Sequence, residues 1–243
     1  MTKKIIFQPA TEQTDHLFVE PKSAINSVPL WYKKQKQFSN NESSLLKSFK
    51  KNISGEATYK MCVPLIDSLT SGYIIKLPVS ILVVNSSDEK NKYTPFIKWN
   101  TANFDPLDWL NADAVGNYPI PHGYNSTCYR WNFDWITKTP NGYSLLINHP
   151  SHRHDLPFFT ISSIIDSDKF CNKLFLPFFI KDGFEGIIEE GTPIAQIIPF
   201  KRDNWISEKI KYSEKTKFFL HNKMKINFIR TYKEKVWSKK QYL

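Results

Sequence analysis

A cluster of histidines in the stretch NHPSHRHDLP has the residue types that bind metal ions in proteins. His152 and His154 are two residues apart, so on a strand their side chains would point to the same face, and Asp155 would point to the other. A facial metal site needs two clustered ligands and a third from elsewhere in the chain. His221 would supply the third, so His152, His154, Asp155 and His221 form one candidate metal site.

The pattern of this stretch differs from the two common metal motifs of jelly-roll enzymes. Cupins carry a glycine-flanked HxH followed by a glutamate, and iron and 2-oxoglutarate oxygenases carry HxD with a distant histidine and arginine. Here His152 and Asp155 are three residues apart. The stretch therefore predicts either a jelly-roll metal site of the cupin or oxygenase type, or a surface loop whose histidines face water.

Two aspartates, Asp166 and Asp168, lie in the segment IIDSD that follows an apolar run. A carboxylate beside a bound substrate can orient or deprotonate a water molecule, which makes both residues candidates for catalysis. In a turn, the same side chains would accept hydrogen bonds from nearby backbone amides instead. Gln196 presents a similar choice between a ligand contact and a buried amide that pairs with the backbone.

Several classes of site are excluded by what the sequence lacks. The three cysteines, Cys62, Cys128 and Cys171, are widely spaced and form no CxxC pair, which argues against a disulfide framework and a thiolate zinc site. No GxSxG, P-loop or GxGxxG pattern occurs. The N-terminus has no apolar leader segment, and no apolar run approaches about 18 residues, so we expect no membrane span and a cytoplasmic location. No particular cofactor is indicated.

The positive charge of the chain is concentrated near its C-terminus. The formal net charge is +10, and residues 204–243, here called the basic segment, hold eleven Lys or Arg and three acids, a net charge of +8. Such a segment binds nucleic acid or an acidic protein, or forms the solvated face of a helix. The lysines that would make the contacts are Lys209, Lys211, Lys215, Lys217, Lys223 and Lys225.

The elements that must position these residues are mainly strands. Over residues 58–205, runs rich in β-branched and aromatic residues, such as YKMCV and GYIIKLPVSILVV, alternate with turn residues. This pattern predicts a mainly-β domain, a sandwich or barrel, in which PLDWL forms a single helical turn. Residues 1–57 are predicted to form an irregular N-terminal arm. Residues 206–243 are predicted to form a basic helical tail, starting near Ser213 and packed on the core.

Three pieces of the chain resemble the dUTPase and dCTP deaminase superfamily, which has the β-clip fold. TPNGY at residues 139–143 resembles its Pro-x-Gly-Tyr turn, IIDSD resembles its Val-Ile-Asp-x-Asp segment, and GTPIAQIIPF resembles its late Ile-Ala-Gln motif. Their order and approximate spacing match over about residues 138–200. The resemblance implies a β-clip or distorted barrel, a homotrimer, and a water-orienting role for Asp166. It also implies ligand contacts from Tyr143, Ser151, Arg153 and Gln196.

The sequence departs from that superfamily where the phosphates would be held. The family's Arg-Ser pair is replaced by His149-Pro150-Ser151, its Tyr-Arg-Gly by Lys169-Phe170-Cys171, and its glycine-rich C-terminal arm by a lysine-rich segment. The arrangement also resembles a group of bacterial and tailed-phage proteins of unknown function, which implies the host cytoplasm if the protein is phage-encoded. We therefore predict a non-enzymatic binding or assembly module. The alternatives are a metal-dependent jelly-roll enzyme and a nucleotide pyrophosphatase or deaminase.

Overall fold

The structure is a computed structural model, and it describes residues 2–38, 58–87, 93–101, 104–214 and 232–243. The chain forms two compact units. The first unit comprises Met1–Ser27, Gly72–Arg202 and Leu243, and the second comprises Val28–Ser71 and Asp203–Tyr242. The predicted arm of residues 1–57 is thus divided between the two units.

All strands of the described residues belong to the first unit, and the mainly-β prediction is confirmed. The fourteen strands are β1 (Ile6–Pro9), β2 (Lys22–Ser23), β3 (Tyr73–Lys76), β4 (Ile81–Ser87), β5 (Tyr93–Trp99), β6 (Leu107–Trp109), β7 (Tyr124–Phe133), β8 (Trp135–Lys138), β9 (Tyr143–Asn148), β10 (Phe158–Thr160), β11 (Ser163–Ile165), β12 (Leu174–Lys181), β13 (Gly186–Ile188) and β14 (Pro193–Lys201). Within the described residues, the α-helices are α1 (Glu12–Leu17), α2 (Leu30–Lys34), α3 (Val63–Thr70) and α4 (Ala112–Val115). None of these helices is long and apolar enough to cross a membrane.

The strands form four antiparallel sheets, and within the described residues none of them closes into a barrel. The largest sheet has the order β11-β9-β14-β3-β2, and a second has the order β10-β12-β7-β6. A third consists of β13-β4-β5, and β1 pairs with β8 in a two-stranded sheet. The pairing of β1 with β8 joins residues about 130 positions apart, which ties the start of the chain to the core of the first unit.

Alternation of apolar and polar residues explains why β7 is a strand with one buried face. Tyr129, Trp131 and Phe133 are buried, whereas Arg130 and Asn132 between them are only partly covered. Successive side chains of a strand point to opposite faces, so this period of two places the aromatic rings together in the core. Burial of such rings is a main source of stability in a sheet protein.

A buried hydroxyl connects the two largest sheets. The Trp131 indole of β7 stacks on Phe178 of β12, with ring centroids 3.6 Å apart. Its Nε1 donates to Thr160 Oγ1 on β10 at 3.2 Å, and Thr160 Oγ1 donates to the carbonyl oxygen of Ile194 on β14 at 2.6 Å. Trp131 and Thr160 are completely buried, so each of these polar groups depends on this chain of hydrogen bonds for a partner.

Gly72 lies where β3 begins beside β14. Its φ is +73°, and a Cβ atom at this position would lie 2.0 Å from the carbonyl oxygen of Ile197. The two backbones therefore approach so closely that only glycine fits.

Two local predictions are wrong. PLDWL was predicted to form a helical turn, but β6 runs through it, because Leu107 pairs with Trp131 of β7 and is buried. YKMCV was predicted as a strand, but Tyr59–Met61 form a 3-10 turn and α3 begins at Val63. Pro64 explains the latter, since proline is favoured in the first turn of a helix.

The second unit contains α2, α3 and a π-helical turn at Tyr232–Val236. The Asp67 carboxylate of α3 accepts hydrogen bonds from Trp237 Nε1 at 3.0 and 3.1 Å. Residues 203–213 contain no helix or strand, and Glu214 is helical. Residues 215–231 lie outside the described residues, so the part of the predicted basic helical tail that falls there stays a prediction.

Replacing Thr160 with valine should lower the free energy of unfolding, because the change removes the hydroxyl and keeps the side chain's shape. Trp131 Nε1 and the Ile194 carbonyl would lose their partner in the core, and each orphaned group costs roughly 1–3 kcal/mol. Thr160→Ser, which keeps the hydroxyl, is the matched control. Urea denaturation measures both variants, and equal stability of T160V and T160S would contradict the proposed role of the hydroxyl.

Candidate functional site

The ends of three neighbouring strands bring the predicted catalytic acids to one place. Asp166 and Asp168 follow β11, Ser144 lies at the start of β9, and Arg202 follows the last residue of β14. β9 pairs with both β11 and β14 in this sheet, and Lys201 lies opposite Tyr143. This pairing assembles the acid–arginine cluster, which consists of Ser144, Asp166, Asp168 and Arg202.

Arg202 binds Asp168 with both arms of its guanidinium group. Nη1 donates to Asp168 Oδ1 at 2.8 Å, and Nη2 donates to Oδ2. The backbone N–H of Gly142 also donates to Asp168 Oδ2, at 2.9 Å. The Asp168 side chain is only 2% exposed. Two-pronged pairs of this kind are geometrically specific and strong, so Asp168 fastens the end of β14 to the turn before β9.

Asp166 lies beside the same guanidinium but faces solvent. Its Oδ1 accepts a hydrogen bond from Ser144 Oγ at 2.6 Å and lies 3.1 Å from Arg202 Nη1, and its side chain is 53% exposed. Arg202 Nη1 donates in turn to Ser144 Oγ at 2.9 Å. The buried Ser144 hydroxyl therefore connects the arginine to the second carboxylate.

The cluster keeps both carboxylates ionised. The hydrogen bonds from Arg202, with help from the Gly142 N–H, lower the pKa of Asp168 to about 2. The Ser144 hydroxyl, and after it the charge of Arg202, lowers the pKa of Asp166. The hydrogen bonds to Asp168 raise the pKa of Arg202 in return. A general base at neutral pH works best with a pKa near 7, so both acids are weak bases.

Gln196 and Ser151 are in contact, and this contact is structural. The Gln196 side chain is buried, and its Oε1 accepts a hydrogen bond from the backbone N–H of Ser151 at 3.0 Å. This contact joins β14 to the loop after β9. The geometry matches the buried-amide interpretation of Gln196. Tyr143 lies on β9, and its ring is 5.0 Å from Lys3 Nζ.

Arg153 pairs with Asp155 within the histidine-rich loop. Arg153 Nε lies 2.8 Å from Asp155 Oδ1, and Nη2 lies 2.9 Å from Oδ2. These hydrogen bonds lower the pKa of Asp155. The rings of His152 and His154 are 6.4 Å apart, and His152 has a positive φ of 57°.

The histidines of this loop are not gathered into a metal cluster. In the part of the chain that the structure describes, no group of three or more His, Cys, Asp or Glu side chains is arranged to hold a metal ion. His221 lies outside the described residues, so the metal-dependent alternative stays a prediction.

His149 is a structural residue of the same loop. Its Nδ1 accepts the backbone N–H of Thr160 at 3.3 Å, and its Nε2 lies 3.1 Å from the carbonyl oxygen of Arg153. With Nδ1 as acceptor, Nε2 carries the proton and donates to that carbonyl. Burial lowers the pKa of His149, which keeps the ring neutral at pH 7.

Arg202 and Ser144 were not recognised in the sequence as members of a site. The sequence did contain a sign of the site, because Arg202 follows one apolar strand, and Asp166 and Asp168 follow another. The contact of Arg202 with the two acids nevertheless depends on two strand pairings, β14 with β9 and β11 with β9, which local sequence does not show.

Residues 205–212 of the second unit, here called the aromatic–lysine segment, form a second candidate site. Trp205 is 88% exposed and Tyr212 is 70% exposed. Lys209 and Lys211 lie between them and are exposed as well. Large exposed aromatic side chains beside lysines on an irregular segment are typical of interaction surfaces.

No protein-family model matches the sequence, and no curated protein is significantly similar to it. Its function must therefore be inferred from the acid–arginine cluster, the aromatic–lysine segment and the surfaces of the first unit.

Replacing Asp168 with asparagine should lower the melting temperature at neutral pH. It should also make the melting temperature depend less on pH in the acid range. The pKa of Asp168 is lowered to about 2 from the ordinary value of 3.8 in the folded protein. Its ion pair therefore stabilises the fold above the ordinary pKa, and this contribution is lost as the pH falls from about 4 to about 2.

Thermal unfolding followed by circular dichroism across this pH range measures the effect. Asp113→Asn is the matched control, because Asp113 is an exposed acid of α4. If D168N melts like the wild-type protein at every pH, the ion pair does not stabilise the fold.

Proposed function

We propose that this protein is a non-enzymatic binding module whose basic segment binds single-stranded nucleic acid. The observation that carries the proposal is the exposure of two aromatic side chains, at the two ends of residues 205–212, with two exposed lysines between them. Trp205 and Tyr212 offer rings on which bases can stack, and Lys209 and Lys211 can contact the phosphates between them.

The charge of the surrounding segment supports a polyanionic partner. Residues 204–243 carry a net charge of +8, whereas the rest of the chain carries about +2. An acidic protein would satisfy the lysines as well, but it offers no bases for the exposed rings. Stacking on aromatic side chains is worth about 1–3 kcal/mol per base, so the aromatic residues favour nucleic acid.

The acid–arginine cluster supports the non-enzymatic part of the proposal. Both predicted catalytic acids contact Arg202, and the pKa of each is lowered rather than raised toward neutrality. Asp166 faces solvent instead of lying in an enclosed site. The β-clip relationship, the homotrimer, a phage origin and a cytoplasmic location stay predictions from the sequence.

Binding of a fluorescently labelled single-stranded oligonucleotide, followed by anisotropy, should weaken steeply as salt is raised. For single strands the logarithm of the binding constant falls with the logarithm of salt by about 0.7 per phosphate contact. The double variant K209E/K211E should therefore bind more weakly and reduce this slope by about 1.4. The double variant W205A/Y212A should lose roughly tenfold or more in affinity at every salt concentration.

Matched controls come from exposed residues elsewhere in the chain. Lys76→Glu with Lys181→Glu makes the same charge change on the first unit, and Tyr59→Ala removes another exposed ring. Salt-independent affinity would contradict the proposal. Polyglutamate bound as tightly as the oligonucleotide, with no loss in W205A/Y212A, would indicate an acidic partner instead.

The protein should release no pyrophosphate from any of the common deoxynucleoside triphosphates, because Ser144 lowers the pKa of Asp166 and Arg202 lowers that of Asp168, which makes both carboxylates weak bases. A coupled pyrophosphate assay across this panel, with and without added divalent metal, measures the activity. Turnover by the wild-type protein that is abolished in Asp166→Asn would contradict the non-enzymatic proposal, and Asp113→Asn controls for removal of a surface acid.

A further inference from the structure

A cleft of about 860 Å³ lies in the first unit, between the hairpin strand β5 on one side and β6, β7 and α4 on the other. Its volume falls within the range of small-molecule sites, which are concave and mostly apolar. None of the residues predicted from the sequence to form a site lines it. The cleft is therefore distinct from the acid–arginine cluster and from the aromatic–lysine segment.

The walls of the cleft carry large aromatic side chains that are not packed into the core. Trp109 of β6 is 67% exposed and Phe96 of β5 is 56% exposed, and Trp99 also lines the cleft. Lys98 Nζ already lies over the Phe96 ring, 5.8 Å from its centroid, so of these three rings Trp99 and Trp109 are left for a ligand. The face of an aromatic ring carries partial negative charge, so it attracts a cation that lies against it.

The charged side chains that line the cleft within the described residues are Asp105 and Asp108, both acidic. Arg130 Nη2 donates to Asp108 Oδ2 at 2.6 Å, and this hydrogen bond lowers the pKa of Asp108. Asp105 is exposed at the start of the segment that leads into β6. The lining thus combines aromatic faces with negative charge.

The two walls are held together by a buried tyrosine. Tyr129 lies on β7, and its hydroxyl donates to the carbonyl oxygen of Pro95 on β5. Burial raises the pKa of Tyr129 to about 12, so the hydroxyl keeps its proton at neutral pH. Because this hydrogen bond joins the strands on both sides, the cleft is preformed, and a ligand would not have to open it.

We propose that this cleft binds a small organic cation, an ammonium or guanidinium group carried on an apolar body. The aromatic rings of Trp99 and Trp109 supply the faces for the cation and the apolar body, and Asp105 supplies the opposite charge. An anionic ligand such as a nucleotide would meet the Asp105 carboxylate here, so the proposal is independent of nucleic-acid binding by the basic segment.

Titration calorimetry with matched probes tests the proposal. Choline is compared with its neutral isostere 3,3-dimethyl-1-butanol, and phenethylamine with 2-phenylethanol and the anion 3-phenylpropanoate. At least one cation should bind with an affinity about tenfold or more above that of its neutral partner, as a desolvated cation–π contact implies. Agmatine extends the panel to a guanidinium group.

Variants locate the binding in the cleft. Asp105→Asn keeps the shape of the side chain and removes its charge, and Trp109→Ala removes an exposed ring, so each should weaken the bound cation about fivefold or more. Asp113→Asn and Phe170→Ala are the controls, since both residues are exposed and neither lines the cleft. Thermal unfolding verifies that each variant is folded.

Three outcomes would overturn the proposal. The first is equal or tighter binding of the neutral or anionic probes. The second is cation binding that D105N and W109A leave unchanged. The third is no binding of any probe at about 10 mM, a concentration that would nearly saturate a site with a Kd of about 1 mM. None of them bears on the oligonucleotide experiment, which probes the second unit.

Discussion

The first unit depends on one buried hydroxyl. The Thr160 hydroxyl accepts a hydrogen bond from the indole N–H of Trp131 and donates one to the carbonyl oxygen of Ile194. The backbone N–H of Thr160 donates a hydrogen bond to His149. In the low-dielectric core, each unpaired polar group would be costly, so these bonds fix how β10 lies against β14 and the end of β9. β9 and β14 carry Ser144 and Arg202 of the acid–arginine cluster at their opposite ends.

Charge is used in two different ways on the same unit. At the ends of β9, β11 and β14, one guanidinium pairs with two carboxylates and joins three strands. In the cleft, Asp108 is paired with Arg130, and Asp105 adds a further carboxylate among exposed rings. In the first arrangement, the electrostatic attraction acts between residues of the fold itself. In the second, the Asp105 carboxylate is exposed to solvent, where a charge can select ligands by their own charge.

Local patterns in the sequence predicted the class of fold but not its sites. The period of two in β7 and the β-branched runs identify strands, because burial of one face makes apolar and polar residues alternate along the sequence. Arg202 and Asp168 meet only through the register of β14 on β9 and of β11 on β9. Trp109 was assigned to a helical turn because its pairing with Tyr129, twenty residues away, leaves no local pattern. Non-local pairing therefore accounts for what the sequence alone did not predict.

The close approach of two backbones at Gly72 has a consequence for evolution. A side chain at this position would collide with the carbonyl oxygen of Ile197, and a main-chain atom cannot turn aside as a flexible side chain can. Descendants of this sequence can exchange most surface residues but must keep a glycine where β3 starts. Distant relatives would therefore be expected to share that glycine and the apolar strand facing it.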